Sequence, residues 1–392
     1  MLFLSLGSNY RFKQAWHHLW ARGKDSDSQE LIQELTDRYQ AKQTLLFSQG
    51  RAALSEAVRL ATGGQGLVAV NSLTCFVVIE AIKTAGCQPL YVDIEAKNWH
   101  FKAETLKQAI KGKDVRAVIV QNTIGMTVDI DQILELAKQA NLAVIEDLAH
   151  AVGGYYDQTR EIGTVGDYTM LSFGRDKMLD TINGGALVIR TDQPKAEIKT
   201  PHNLPSPMQR FRDRIYPMIG WKSRVLFGIG VGKLILALAY KLKLAVRSAD
   251  GGNHPDQTLT NWQAKLALEQ IRGLDQAVKN KLEVQSSYLE KLAKFNPQPS
   301  SNGVRLPLLV EDRTKLIEAL KQNGIMAADM WYEVPISPAR LYDKVGFPEN
   351  QRPNATLIAQ HTVNLPTHQL VSAKDIEKIS QIVLAEAKPW SL

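Results

Sequence analysis

The 392-residue sequence predicts an α/β protein, with a large domain on a mostly parallel sheet and a smaller α+β domain at the C-terminal end. Two observations carry this. Between about residues 65 and 190, short apolar runs rich in Val and Ile alternate with helical stretches, the rhythm of βαβ units. The runs are continuously apolar, as strands are when helices cover both faces of their sheet.

Residues 27–62 carry apolar side chains at helical spacing and read as two helices that stop at Gly63-Gly64, with a short apolar run, Leu45–Phe47, inside them. The strand runs that follow are Leu67–Val70, Pro89–Val92, Val115–Val120, Ala143–Ile145, Tyr168–Ser172 and Gly185–Ile189. Helical stretches such as Phe76–Ala85 and Ile130–Ala140 separate them. Residues 200–256 break the rhythm with Pro and Arg clusters and an apolar, basic stretch. One long amphipathic helix is expected from Leu259 to about Leu292, then an extended segment Val304–Leu309, a helix Thr314–Asn323, a loop, and a last helix from Ser372. The expected division is a large domain over 1–256, with an insertion at about 205–250, and a helix plus small domain over 257–392.

Composition narrows the class. Hydrophobic residues at 44% and charged residues at 22% are ordinary for a globular protein and exclude collagen, a disordered chain and a disulfide scaffold. Cys75 and Cys87 lie in apolar surroundings without metal spacing and read as free thiols of a reducing compartment, hence the cytoplasm. The N-terminus has no basic segment leading into a sustained apolar core, so no signal peptide is expected. The net charge of +7 comes without a nucleic-acid-binding motif; no nucleic-acid partner is expected, and the charge suits an anionic substrate.

Open α/β sheets bind ligands at the carboxyl ends of their strands, which directs attention to the residues after each run. After Leu45–Phe47 comes Ser48-Gln49-Gly50-Arg51-Ala52, a glycine turn opening a helix whose free N–H groups favour a phosphate, though such turns are commonly plain helix starts. After Ala143–Ile145 comes Glu146-Asp147-Leu148-Ala149-His150. Asp147 is either a helix cap or a carboxylate that keeps a pyridine nitrogen protonated. After Tyr168–Leu171 comes Ser172-Phe173-Gly174-Arg175-Asp176-Lys177, then Thr181-Ile182-Asn183-Gly184-Gly185. A lysine is usually a solvated charge. Between two apolar strands, desolvation lowers its pKa and frees the amine to form a Schiff base.

The run Val144–Gly154, then Gly163-Thr164-Val165-Gly166-Asp167, then Ser172–Lys177, resembles the DegT/StrS family of sugar aminotransferases, which use pyridoxal 5'-phosphate (PLP). The resemblance continues through Gly50–Leu54, Gly86–Asp93, Asn122–Gly125, Asn261–Ala264, Gly324-Ile325 and Asn364–His368, leaving out roughly 200–250. It implies PLP fold type I with a seven-stranded sheet. Lys177 would carry the cofactor and shuttle protons, Asp147 would pair with its ring nitrogen, and His150 would stand near its 3-hydroxyl. Ser172 and the amides at Gly50, Arg51 and Ala52 would hold the phosphate, and Phe76 would stack on the ring because Cys75 occupies the usual aromatic position. It further implies a homodimer, an amino-acid donor such as glutamate, and a keto-sugar acceptor carried on a nucleotide or a lipid. The chain departs from the family at Arg51, where Ser or Thr is usual, at Ile182-Asn183, and near Pro255–Thr258, where an Asn-aromatic-Arg loop is absent. Two other readings are a sugar dehydratase, against which Lys177 argues because those enzymes carry histidine there, and a non-catalytic regulatory relative.

Residues 222–247 approach membrane-spanning length, yet Lys233, Lys241 and Lys243 interrupt them at about 2.5–3.5 kcal/mol per charge near a bilayer centre, so a spanning helix is not expected. On a helical wheel Lys233, Tyr240, Lys241, Lys243 and Arg247 fall within one broad face, with Leu236 and Leu244 among them, and Leu234, Ile235, Leu238 and Leu242 gather on the other. Two expectations follow: packing of the leucines on the protein or a second subunit, with lysines snorkelling, or a peripheral contact with a membrane surface.

Overall fold

The structure, a computed structural model, describes residues 1–4, 9–95, 97–327 and 331–390. Its centre is a seven-stranded sheet. The strands are β1 (Gln43–Phe47), β2 (Leu67–Asn71), β3 (Gln88–Val92), β4 (Val115–Val120), β5 (Ala143–Asp147), β6 (Tyr168–Ser172) and β7 (Gly185–Ile189). Their order is β1-β7-β6-β5-β4-β2-β3. β7 runs antiparallel to both neighbours and the other pairs are parallel.

Helices α1 (Phe12–Trp20) and α2 (Asp25–Arg38) precede the sheet; α3 (Gly50–Thr62), α4 (Phe76–Thr84), α5 (Ala103–Ile110) and α6 (Ile130–Gln139) lie between its strands. After it come α7 (Pro207–Val225), α8 (Val231–Lys241), α9 (Asn261–Arg272), α10 (Leu274–Lys291), α11 (Arg313–Gln322), α12 (Pro353–His361) and α13 (Ala373–Glu386). The two-residue period of each strand divides its side chains between two layers. Leu45 and Phe47 of β1 pack with α3 and α4, while Leu46 between them packs with Leu31 and Leu35 of α2 and Leu268 of α9. β7 repeats this, with Leu187 and Ile189 on the first side and Ala186 and Val188 on the second. Helical cover on both faces is why these strands read as unbroken apolar runs.

Several expectations change. Residues 27–62 hold β1 as well as their two helices; it extends the Leu45–Phe47 run back to Gln43. The expected long helix is two, because Gly273 separates α9 from α10; glycine in a helix interior costs about 1 kcal/mol relative to alanine. The expected loop after 323 holds α12 and a strand, Thr362–Leu365, paired antiparallel with Leu306–Leu309. This pair and helices α10, α11 and α13 enclose the C-terminal core of Tyr288, Leu306, Leu308, Leu320, Val363 and Ile379. Leu2–Phe3 pairs with Ile325–Met326, so the first residues join that small domain. Thr74–Cys75 pairs with Ile336–Ser337, drawing a C-terminal segment to the rim of the large sheet.

The stretch 222–247 is not one helix. α7 starts at a Ser206 cap that accepts from the Gln209 amide at 3.2 Å and ends at Val225; a short turn over Phe227–Ile229 and Gly230, at φ 83°, reverse the chain into α8. A Cβ on Gly232 would stand 2.0 Å from the Ser223 carbonyl oxygen, so the close crossing of α7 and α8 requires glycine there. α8 buries its small residues, Gly232 and Ala239, and turns Leu234, Leu238 and Leu242 to the outside. The expectation that the leucines pack on their own domain is therefore corrected.

Candidate active site

Two neighbouring acids at the end of β5 point to opposite sides and do different work. The Glu146 carboxylate accepts from the amides of Gly163, Val165 and Gly166 at 2.8, 3.0 and 2.7 Å and from the Tyr156 hydroxyl at 2.9 Å. Arg190 stands 3.3 Å away as its counter-ion. Glu146 thus fastens the Gly163–Asp167 loop, which makes that motif scaffolding. Asp147 faces a cleft. Its Oδ1 accepts from the Ala149 amide at 2.8 Å and its Oδ2 from Gln121 Nε2 at 3.4 Å. No helix starts behind it, so the helix-cap reading fails. Burial raises its pKa to about 6, with the Ala149 amide, Lys177 and Gln121 pulling the other way.

Lys177 follows β6 on a loop whose shape is enforced by a third acid. Asp176 and Ile182 hold φ values of 65° and 73°, a region that costs side-chain-bearing residues energy and persists where the surroundings over-determine it. The Asp180 carboxylate does so here. It accepts from the amides of Ile182 and Asp176 at 2.9 and 3.2 Å and from the Tyr10 hydroxyl at 2.8 Å, while Gln270 clasps the Asp180 backbone. Burial raises the pKa of Asp180 to about 7. Lys177 Nζ lies 4.5 Å from the centre of the Trp331 ring. Burial pushes its pKa below the ordinary ammonium value; Cys75 and Asp147 oppose this and Arg305 adds to it. Desolvation is what makes an amine nucleophilic near neutral pH.

His150 meets the same tryptophan edge-on, at 4.8 Å and 88°. Its pKa lies well below the usual range, chiefly through burial and further through Lys177 and Arg305. The Ile124 amide points at Nδ1 from 3.4 Å and can only donate, so the ring is neutral and its proton sits on Nε2.

At the other end of the cleft, the Gln49 side chain makes no cap bond to α3, leaving the first-turn amides from Gly50 to Ala52 open. A Cβ on Gly50 would stand 2.8 Å from Ser172 Cβ and Oγ, so glycine lets the end of β6 close against the start of α3. The Arg51 side chain is not at this cradle. It pairs with Glu80 at 2.6 Å and donates to the Ser248 carbonyl, so Arg51 offers only its amide. Phe76 is likewise corrected: it packs against the core, and Cys75, Val77 and Val78 line the cleft in its place. Trp331 is the aromatic that faces Lys177.

The cleft has a volume of about 670 Å³ and three kinds of wall. Strand ends supply Asp147, Ser172 and Lys177; the insertion supplies Leu236, Tyr240 and Arg247; the C-terminal segment supplies Trp331, Tyr332 and Arg340. Sequence reasoning found the first wall, with Gly50, Asp147, His150, Ser172 and Lys177 brought together. It missed Gln121, although this residue directly follows the β4 run, where ligands are expected. Nothing local marks Trp331 or Tyr240. The lining fits PLP: an open amide cradle for a phosphate, a buried carboxylate in the same cleft as the buried lysine, and two buried amide oxygens, Gln49 Oε1 and Gln121 Oε1, without protein partners. Among the described residues no group of His, Cys, Asp and Glu could hold a metal ion.

Residues 9–228 and 252–384 match the profile of the DegT/DnrJ/EryC1/StrS aminotransferase family. The chain is 32% identical to the GDP-perosamine synthase of Escherichia coli O157:H7 over 43% of this chain and 46% of that protein. It is 24% identical to the Caulobacter vibrioides GDP-perosamine synthase over 89% and 87%. It is 25% identical to the dTDP-4-amino-4,6-dideoxy-D-glucose transaminase of Shigella dysenteriae over 90% and 88%. Among solved structures, DesV of S. venezuelae shares the fold at a TM-score of 0.71, with 21% identity over 95% of this chain and 93% of that one. Spr1654 of Streptococcus pneumoniae in its PLP form shares it at 0.71, with 19% identity over 96% and 97%.

Proposed function

On the premise that the chain belongs to the DegT/DnrJ/EryC1/StrS aminotransferase family, we propose that it moves an amino group from an amino acid, glutamate in the first instance, to a keto sugar carried on a nucleotide or a lipid. The observation that carries this reading is the meeting of Asp147 and Lys177 in one cleft.

PLP, bound there, supplies an electron sink for the pair left when a C–H proton is removed. This chain's residues do the rest. The Lys177 amine, made available by burial, would hold the cofactor and carry the proton between donor carbon and cofactor. Asp147 would keep the ring nitrogen protonated, and the neutral His150 would offer its Nε2–H to the ring oxygen. The amides of Gly50, Arg51 and Ala52 and the Ser172 hydroxyl would seat the phosphate. Trp331 and Tyr332, which line the cleft beside the lysine, would limit the access of water to it.

The reading includes a homodimer, a cytoplasmic setting supported by the free thiols of Cys75 and Cys87, and a peripheral membrane contact through residues 222–247. Among the described residues no helix is long and apolar enough to cross a membrane. Incubation of the PLP-loaded protein with glutamate should bleach the cofactor's visible band, and a keto-sugar panel should restore it with one acceptor. A band that no amino acid bleaches would refute the proposal.

A further inference from the structure

Between residues 207 and 247 the sequence has nine basic residues and one acid, a net +8 that exceeds the +7 of the whole chain. The one acid, Asp213, is buried and accepts from Asn183 Nδ2 at 2.7 Å, so it does not offset the basic surface. The same segment exposes large apolar side chains: Leu234 is 59% accessible, Leu242 64% and Ile229 74%. Leu234, Leu238 and Leu242 are spaced by four and form one stripe along α8.

A second stripe comes from the opposite end of the sequence. Phe12, Trp16 and Trp20 repeat every four residues on α1, all three at least half exposed, and α1 contains no acid. Phe12 contacts Trp221 of α7 at 4.9 Å between ring centres, and Arg224 of α7 donates to the Tyr10 carbonyl. α1 and α8 meet α7 around a shared core of Ala15, Tyr216 and Ala239. The two stripes therefore belong to one three-helix unit. Exposed aromatic and leucine stripes on a soluble surface normally mark a contact, and lysines and arginines beside them select a partner that is apolar beneath and negative on top.

We propose that α1, α7 and α8 form a docking unit for an anionic lipid bilayer, with the Trp16–Trp20 and Leu234–Leu238–Leu242 stripes entering the interface and Lys233, Lys241 and Lys243 meeting lipid headgroups. This deepens the membrane contact proposed above by adding α1 to it, and it rests on the transaminase reading only for what the cleft does. Leu236 and Tyr240 on α8 line that cleft, so the docked face and the substrate entrance share a helix. An acceptor sugar carried on a membrane lipid would reach the cleft along that helix.

The test uses the full-length holoenzyme and sedimentation with vesicles of phosphatidylcholine alone or mixed with phosphatidylglycerol. The protein should pellet with the mixed vesicles at low salt and lose most binding at high salt. Replacing Lys233, Lys241 and Lys243 by Glu should weaken binding roughly 10-fold or more. Leu234→Ser with Leu238→Ser, and separately Trp16→Ser with Trp20→Ser, should weaken it on neutral and anionic lipid alike. None of these residues lines the cleft, so the cofactor band and the glutamate reaction should be unchanged. No pelleting at low salt overturns the proposal, as does pelleting that survives every variant. Loss of the dimer in the leucine variant, measured by light scattering, would assign the stripe to a second copy of the chain and overturn it too. A protein that binds vesicles but forms no cofactor band would instead refute the transaminase reading and leave docking intact.

Discussion

The strand-end wall and the helical wall of the cleft are built on opposite principles. The first hangs its groups on the ends of β5 and β6, inside a sheet covered on both faces, and fixes each by hydrogen bonds: Asp147 by Ala149 and Gln121, the lysine loop by Asp180. The second is a helical hairpin laid over the opening, with small residues inward and leucines outward. It touches the first wall at a few points, among them Arg51 to the Ser248 carbonyl, Arg175 over the Tyr216 ring at 4.3 Å, and Asn183 to Asp213. We expect chemistry common to the family on the first wall and the choice of acceptor on the second, where the family profile leaves residues 229–251 unmatched.

Substitutions that separate the walls test that division. The largest effect among them is expected at Asp147. Asp147→Asn should slow bleaching by glutamate roughly 10²–10³-fold, the loss typical when a preorganised electrostatic partner is removed. It should also change a pH dependence. With its pKa raised to about 6, wild-type Asp147 is ionised above that pH and neutral below it, so cofactor affinity should fall as pH drops through about 6. In the Asn variant that component should vanish, and an unchanged profile would show that the carboxylate does not face the ring nitrogen.

Next comes Asp180, which positions the lysine loop without touching the cleft. Asp180→Asn loses one acceptor for the Ile182 and Asp176 amides and should slow the glutamate reaction by up to about 10²-fold through misplacement of Lys177. Its stability signature has a definite sign. Because burial raises the folded pKa to about 7, the folded protein holds a proton that the unfolded chain releases. Stability from this group is present at low pH and is lost as pH rises through about 7. Denaturant titration should show the Asn variant losing less stability than wild type between pH 5 and pH 8.

The smallest effect should come from the helical wall. Arg247→Ala removes a guanidinium from the cleft and should lower kcat/KM for an anionic acceptor about 10-fold, a charged hydrogen bond's worth. The glutamate half-reaction should stay as it is. Equal losses in both halves would mean that the two walls are not functionally separate.

The same contrast explains what could be read in advance. Asp147, Ser172 and Lys177 were legible because strand ends are local features: an apolar run stops and a polar residue follows. Gly50 followed from the same logic, whereas His150 was implied by the family resemblance alone. Trp331 and Tyr240 were not legible, because long-range folding brings them to the cleft and no short-range period announces it. Phe76 failed for a related reason, since a resemblance aligns positions in the chain and says nothing of where a ring points. In α8 the wheel separated leucine from lysine, but an amphipathic pattern does not say which side is covered; Gly232 and Ala239 took the inside because only small residues allow the close crossing. Gly273 escaped notice because apolar spacing continues across it from α9 into α10.

The central claim is that Lys177 bears the cofactor, and borohydride reduction followed by peptide mass spectrometry tests it most directly. A second lysine gives the test its edge, because burial also lowers Lys281, to about 8, while Lys281 lies outside the cleft. The reduced pyridoxyl group should be found on the peptide containing Lys177, and Lys177→Ala should abolish it. An adduct on Lys281, or on any other lysine of the native protein, would contradict the account.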